Sequence, residues 1–135
     1  MTDYLVDTQS LLWFVEDDIK LPPKIKTIME DQNSHLIVSI ASLWEIAIKT
    51  SIKKLTLSVE FNLFVEKIHL NGFEILPIEC SHLITLTTLD FPHRDPFDRI
   101  IIAQAITEKM QVISSDDSFG QYPVQWLWYN RRNQP

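Results

Sequence analysis

The chain has 135 residues, 45% of them hydrophobic and 22% charged, which fits one globular domain over residues 1–135 and excludes disorder throughout. Its two glycines, Gly72 and Gly120, are too few or too far apart for a G-x-x-x-x-G-K phosphate loop or a G-x-G-x-x-G dinucleotide motif. The one cysteine, Cys80, excludes an internal disulfide and a zinc or iron–sulfur site built from several cysteines.

The net charge is −6, from 12 basic and 18 acidic residues. Proteins that depend on phosphate contacts are usually basic, so this balance indicates one of two situations. Either the protein avoids nucleic acid, or its acids are gathered at a metal site that inverts the local field. The first residues lack the basic region of a signal peptide, and no apolar run is long enough to cross a membrane. We therefore expect a cytoplasmic protein without a membrane partner.

The first part of the chain alternates strand and helix signals. Tyr4–Val6 is a short apolar run that predicts a buried strand, and the spacing of Thr8–Val15 predicts a helix. A second helix is expected to start at Pro22-Pro23 and to run to about Asp31. His35–Val38 predicts the second strand.

The middle of the chain carries the strongest helix signal, from Ser39 to about Ser51. One apolar stripe is expected along it, formed by Ile40, Leu43, Trp44, Ala47 and Ile48. Another helix is predicted over Val59–Leu70, with Asn71-Gly72 as its C-terminal stop. Phe73–Leu76 predicts a third strand.

The last part begins with a predicted helix over Ser81–Leu89. Asp95-Pro96 then opens a helix that continues to Ile106, with an N-cap acid and a first-turn proline. Gln111–Ser114 and Val124–Leu127 predict the fourth and fifth strands. Strands that alternate with helices predict a parallel sheet covered on both faces, with ligands beyond the carboxyl ends of the strands.

Four carboxylates could meet at that edge of the sheet. Asp7 ends the first strand, Asp116 follows the fourth, Glu45 lies in the helix after the second, and Asp98 lies in the first turn of the helix before the fourth. Such a group of oxygen ligands suits a hard cation, Mg²⁺ or Mn²⁺. Two such ions can clamp the attacking and leaving oxygens of a phosphodiester displacement. An acidic protein could thus still bind RNA there.

Each carboxylate also has a purely structural interpretation. Asp7 could only cap the next helix. Glu45 could belong to a capping box with the serine three residues before it, or to an exposed i,i+4 pair with Lys49. Asp98 complements the helix dipole, and Asp116 could lie in an exposed turn. The spacing alone leaves these alternatives open.

Four segments together resemble a PIN-domain nuclease, and within that family the VapC-like toxins. They are Leu5–Thr8, Ser42–Lys49, His93–Ala105 and Val112–Asp116, the last with Phe119 after it. The resemblance covers nearly the whole chain, and His93–Ala105 is its most specific part. It implies a three-layer α/β/α sandwich with a central parallel β-sheet and an acidic pocket.

The resemblance also implies a site and a chemistry. The acidic quartet of the family falls on Asp7, Glu45, Asp98 and Asp116, with Asp95 and Asp117 as additional acids outside the metal shell. The family is Mg²⁺- or Mn²⁺-dependent and hydrolyses RNA phosphodiester bonds with a metal-activated water. We expect Asp7, Asp98 and Asp116 to ligate the principal metal and Glu45 to hold a second metal or orient a water. Thr8 and Ser114 are expected to orient the carboxylates from behind.

The same resemblance implies partners. They are an RNA substrate, a cognate antitoxin protein and a second copy of the chain in a homodimer. Lys49 and Arg99 each neighbour a quartet acid and are possible RNA contacts, although each could simply neutralise that acid. Trp13 and Trp44 are expected in core or interface packing.

Competing functions remain to be weighed. A haloacid-dehalogenase-like phosphatase wants a D-x-D pair after the first strand, and Asp7-Thr8-Gln9 lacks the second acid. A response-regulator-like module needs a phospho-accepting Asp ending the third strand, where Pro77 stands. A catalytically silent PIN fold used for binding stays open, although the intact quartet argues against it.

Overall fold

In a computed structural model of the chain, residues 1–90 and 95–129 are described. His93 and Arg94, which belong to the segment of strongest resemblance, lie outside them. One parallel sheet has the strand order β3-β2-β1-β4-β5. Its strands are β1 (Thr2–Val6), β2 (Ser34–Ser39), β3 (Glu74–Leu76), β4 (Gln111–Ile113) and β5 (Trp126–Leu127).

Helices connect the strands and cover both faces of the sheet. They are α1 (Thr8–Val15), α2 (Pro23–Glu30), α3 (Ile40–Ser51), α4 (Phe61–Leu70), α5 (Cys80–Leu86) and α6 (Pro96–Glu108), and a 3₁₀ turn spans Asp117–Gln121. This confirms the predicted α/β/α sandwich with a central parallel sheet. None of the helices in the described parts of the chain is long and apolar enough to cross a membrane.

The two faces of the sheet bury separate apolar clusters. Successive side chains of a strand point to opposite faces, and β1 shows the consequence directly. Val6 packs with Leu11 and Phe64 on one face, whereas Leu5 packs with Ile101 on the other, and all five are fully buried. The central strand therefore anchors both layers of helices, and its C-terminal end has a fixed position.

The strand order creates a switch point beside β1. The connections from β1 to β2 and from β2 to β3 step in one direction, whereas β4 pairs with the opposite side of β1. In register, Val6 of β1 lies between Val38 of β2 and Ile113 of β4. Ligands of open parallel sheets bind in the crevice that forms at such a point.

Aspartate side chains fix where α1 and α6 begin, as the sequence predicts. The side chain of Asp7 accepts a hydrogen bond at the start of α1, and Asp95 does the same for Phe97 N–H at the start of α6. Gly72 follows the last turn of α4 with a φ of +82°, a conformation that glycine adopts without strain. The cap at Asp95 therefore fixes the first turn of α6, which contains Asp98.

The apolar stripe predicted for α3 is confirmed at Leu43, which is buried, and is wrong at Ile40, Trp44 and Ile48. Its buried residues are Ala41, Ser42, Leu43, Glu45 and Ile46. Trp44 is 60% exposed, and Ile40 and Ile48 are also exposed. The helix turns the polar Ser42 and Glu45 inward, so the face that carries Trp44 points outward. Trp44 contacts Phe97 edge to face at 5.2 Å, which does not bury it.

Smaller differences concern element ends. The helix predicted from Val59 begins at Phe61, and the one predicted over Ser81–Leu89 spans Cys80–Leu86. The 3₁₀ turn after β4 was not predicted. Trp13 is half-buried, and its ring packs at a tilt of 40° against that of Trp128, with 6.0 Å between the ring centroids, which agrees with the packing role expected for it.

Candidate functional site

The carboxylates predicted from the sequence lie together at the switch point. Asp7, Glu45, Asp98 and Asp116 all line one cavity of about 370 Å³ at the C-terminal edge of the sheet. Asp7 follows β1, Asp116 follows β4, Glu45 comes from α3 and Asp98 from the first turn of α6. Four separate segments therefore converge on one space, which we call the acidic pocket.

Hydrogen bonds hold both carboxylate oxygens of Asp7 in place in the acidic pocket. Its Oδ1 accepts a hydrogen bond from the backbone N–H of Ser10 at 2.9 Å, and its Oδ2 accepts one from the Ser114 hydroxyl at 2.7 Å. Burial raises the pKa of Asp7 above its usual value, the two serines lower it, and nearby Asp116 raises it further. The capping role proposed for Asp7 and its place in the site are therefore compatible.

Ser114 links two of the acids. While its hydroxyl donates to Asp7, its oxygen accepts the backbone N–H of Asp116 at 3.0 Å. Asp116 in turn accepts the backbone N–H of Ser118 at 3.0 Å, which opens the 3₁₀ turn. The fully buried Ser114 thus sets the relative position of the acids that follow β1 and β4.

Asp98 also has a raised pKa. Burial and the carboxylates around it, Asp95 first and then Asp7, Glu45 and Asp116, raise its pKa from 3.8 to about 7. Like charges confined in one small space disfavour further ionisation. Asp95 belongs to this set because it lines the acidic pocket, in addition to capping α6.

Glu45 is buried to 94% and makes an asymmetric set of contacts. Its Oε2 pairs with the Lys49 ammonium at 2.8 Å, and the hydrogen bond raises the pKa of Lys49. Its Oε1 is also buried, and no group in the described parts of the chain donates to it. The predicted i,i+4 pair exists, but its acid is buried rather than exposed.

These features fit a divalent cation. A buried carboxylate oxygen without a donor and an aspartate with a raised pKa both indicate negative charge that the protein itself does not balance. The donors are all oxygens, the type that Mg²⁺ and Mn²⁺ prefer. The cavity of about 370 Å³ also leaves room for the waters that Mg²⁺ usually keeps.

The other predicted residues have different positions. Thr8 lines the acidic pocket, but its hydroxyl donates to Ser42 at 2.9 Å rather than to a carboxylate. The guanidinium of Arg99 donates to the Leu86 carbonyl at 3.4 Å, which directs it toward α5. Lys49 lines the pocket as expected. Lys54 also lines it and was not predicted, because only the turn after α3 brings it there.

A second cluster, formed by Glu79, His82 and Glu108, joins α5 to α6. Within residues 1–90 and 95–129, it is the one set of three possible ligand atoms that all lie within 4.8 Å of one another. However, Nδ1 of His82 accepts the Glu79 N–H at 3.0 Å, so the ring proton lies on Nε2 and points at Glu108 Oε2, 2.8 Å away. Both nitrogens are thus used, and the cluster ties the helices together.

Comparison with known proteins identifies the family. A family model for the PIN domain matches residues 4–125, and the chain therefore belongs to the PIN domain family. No curated protein sequence matches the chain significantly.

Solved structures share the fold at low sequence identity. A chain of the DNA-bound VapBC from Salmonella typhimurium gives a TM-score of 0.71 at 17% identity, over 94% of this chain and 98% of that one. VapBC2 from Rickettsia felis, bound to a DNA fragment from its promoter, gives a TM-score of 0.69 at 16% identity, over 93% of this chain and 98% of that one. A toxin-antitoxin complex from Klebsiella pneumoniae gives a TM-score of 0.62 at 16% identity, over 93% of this chain and 96% of that one.

Proposed function

We propose that the protein is a metal-dependent endoribonuclease that acts as the toxin of a toxin–antitoxin pair. The observation that carries this proposal is the acidic pocket, in which Asp7, Glu45, Asp98 and Asp116 meet and Glu45 Oε1 lacks a donor. Membership of the PIN family and the likeness in fold to VapBC and toxin-antitoxin complexes support it.

The proposed cofactor is Mg²⁺ or Mn²⁺. Asp7, Asp98 and Asp116 would hold the principal ion directly or through water, and Glu45 would hold a second ion or orient a water. A bound cation of this kind lowers the pKa of a bound water and stabilises charge on phosphoryl oxygens. The raised pKa of Asp98 supports this assignment, because a cation would relieve the repulsion that raises it.

The chain's own residues would orient the acids. Ser114 and the Ser10 N–H fix both oxygens of Asp7, so this carboxylate cannot rotate away. The Ser118 N–H fixes one carboxylate oxygen of Asp116. Such pre-organisation means that little rearrangement is needed when substrate arrives. No histidine or cysteine nucleophile is part of the proposal.

We also propose three partners and a compartment. The substrate is RNA, the inhibitor is a cognate antitoxin protein, and the active form is a homodimer in the cytoplasm. The exposed apolar side chains of α3, among them Trp44, are consistent with a protein surface that needs a partner. Light scattering on the purified protein would measure the dimer mass, and a monomer at micromolar concentration would contradict this part.

The decisive test is cleavage of a mixed pool of tRNA, rRNA and mRNA by purified, antitoxin-free protein. It compares Mg²⁺, Mn²⁺ and a chelator, with Asp7→Asn as the inactive variant and Asp117→Asn as a matched control. We expect discrete fragments that need metal, vanish with Asp7→Asn and persist with Asp117→Asn. Equal cutting by wild type and Asp7→Asn would reveal a contaminating nuclease. A folded protein that binds metal and cuts nothing would favour a silent binding fold.

A further inference from the structure

The ammonium group of Lys49 forms an ion pair with one carboxylate of the acidic pocket. Its ammonium lies 2.8 Å from Glu45 Oε2, and its side chain is 49% exposed, whereas that of Glu45 is 8% exposed. One partner is therefore fixed inside the protein and the other stands at the rim of the pocket on a flexible stem. A half-exposed lysine can move to another anion at low cost, because its four-carbon chain has many rotamers.

The turn after α3 brings a second lysine to the same rim. The N–H groups of Lys54 and Leu55 both donate to the Lys49 carbonyl, at 2.8 and 3.2 Å, and Lys53 between them and the helix is left-handed with a φ of +61°. This Schellman-type ending folds the chain back over the last turn of the helix. As a result, Lys54 lines the acidic pocket, whereas Lys53 lines the neighbouring groove between α3 and α4.

The two lysines differ in what holds them. Lys49 is paired with Glu45, whereas Lys54 forms no ion pair with any residue in the described ranges. An ammonium group offers three donors and no acceptor, and phosphate oxygens are its usual partners at binding sites. Two ammonium groups beside a pocket of carboxylates therefore provide a place for an anion that the carboxylates alone would repel.

We propose that Lys49 and Lys54 form a phosphate-binding subsite on the rim of the acidic pocket, to which Lys49 contributes only after a divalent cation has displaced it from Glu45. The inference rests on the proposed function, because the phosphate is that of an RNA strand. In the absence of a cation, Lys49 balances the charge of Glu45. When a cation takes over that charge, the ammonium becomes free for a phosphate.

The first consequence concerns cation affinity and does not involve RNA. Lys49 and a divalent cation compete for Glu45, so removing the ammonium should strengthen cation binding. We expect Lys49→Met to bind Mn²⁺ about tenfold tighter than wild type. At protein dielectric constants, the repulsion between a cation and a unit positive charge a few ångströms away exceeds the free energy of a tenfold change in affinity. Lys49→Gln, which keeps a hydrogen-bond donor for Glu45, guards against misfolding. Lys54→Met should change the affinity less.

The second consequence concerns the salt dependence of RNA binding. The probe is a fluorescent mixed-sequence 2′-O-methyl oligoribonucleotide, measured by anisotropy with Mn²⁺ and with a chelator. With Mn²⁺, loss of either lysine should flatten the slope of log affinity against log salt by about 0.7, the contribution of one single-strand phosphate contact. With the chelator, Lys54→Met should still flatten it and Lys49→Gln should not. Lys20→Met, in the loop between α1 and α2, is the charge-matched control.

Several results would overturn the inference. One is that both Lys49 variants bind Mn²⁺ no more tightly than wild type. Another is that Lys49→Gln changes the salt slope equally with and without Mn²⁺. A third is that wild type does not bind the oligonucleotide. Failure of the proposed nuclease function is distinguishable, because it appears as metal-dependent RNA binding without cleavage. In that case the Mn²⁺ competition and the two slopes still decide the role of Lys49.

Discussion

Replacing Asp98 by Asn should stabilise the metal-free protein at alkaline pH. The carboxyl of Asp98 has a pKa of about 7 in the folded state and 3.8 as its reference value. Because the folded-state value is the higher one, the folded protein binds an extra proton between these two pH values. Wild-type stability should therefore fall as pH rises through this window, and Asn, which cannot ionise, should remove the fall.

The magnitude follows from the shift after allowance for solvent. One pKa unit corresponds to about 1.4 kcal/mol, but Asp98 is only partly buried and its repulsion is screened by water and salt. We therefore expect Asp98→Asn to raise the free energy of unfolding by about 1–2 kcal/mol at pH 8. For a chain of this length that is a rise in Tm of about 3–8 °C.

The assay is thermal unfolding by circular dichroism in chelator, at about pH 8 and about pH 4.5. At the lower pH the advantage of Asp98→Asn should shrink to less than about a third, since wild-type Asp98 is then protonated in the folded state. Asp117→Asn is the control, because Asp117 is exposed and lies outside the pocket lining. A lower Tm for Asp98→Asn at pH 8, or an equal offset at both pH values, would refute the reasoning.

Three further predictions concern the supports of the pocket, the α5–α6 contact and the cation. Ser114→Ala removes the hydrogen-bond partner of both Asp7 and the Asp116 N–H. It should therefore lower the free energy of unfolding, measured with urea, by about 1–3 kcal/mol, and weaken Mn²⁺ binding, measured by metal titration. His82→Leu should cost about 1–3 kcal/mol through the unpaired Glu108, with Mn²⁺ affinity unchanged; weaker binding would mean that this cluster holds metal. Saturating Mg²⁺ should raise Tm more at about pH 8 than at about pH 4.5, because protons compete with the ion, and an equal rise would contradict this.

Much of the fold could be predicted because its signals are local. Thr8–Val15 spans the same residues as predicted, since the apolar run before it and the cap at Asp7 define where the chain turns. Asp95 caps α6 through the Phe97 N–H, as its position before Pro96 predicts. The parallel sheet follows from the alternation of strands and helices.

The orientation of α3 could not be predicted in this way. The helix carries apolar residues on two faces, so periodicity alone selects the richer one, with Trp44. In the structure the other face is inward, because Ser42 receives the Thr8 hydroxyl and Glu45 enters the acidic pocket. Polar contacts between distant segments determine which face of α3 is buried, and the spacing of apolar residues gives no information about such contacts.

The candidate site shows the same division. The convergence of Asp7, Glu45, Asp98 and Asp116 was predicted by combining the strand-end rule with the family resemblance, and their catalytic and metal-binding roles stay predictions. Lys54 was missed because its place depends on the turn after α3. The contact between His82 and Glu108, which lies outside the acidic pocket, was not predicted because the two residues are 26 positions apart in sequence.

The most direct test of the central claim is to locate Mn²⁺ by anomalous diffraction in crystals of the protein grown without its antitoxin. The claim is that the acidic pocket is the cation site on which the nuclease function depends. We predict an anomalous peak among the carboxylates of Asp7, Asp98 and Asp116, with none beside His82. A peak between His82 and Glu108, or a pocket that stays empty at saturating Mn²⁺, would contradict the account.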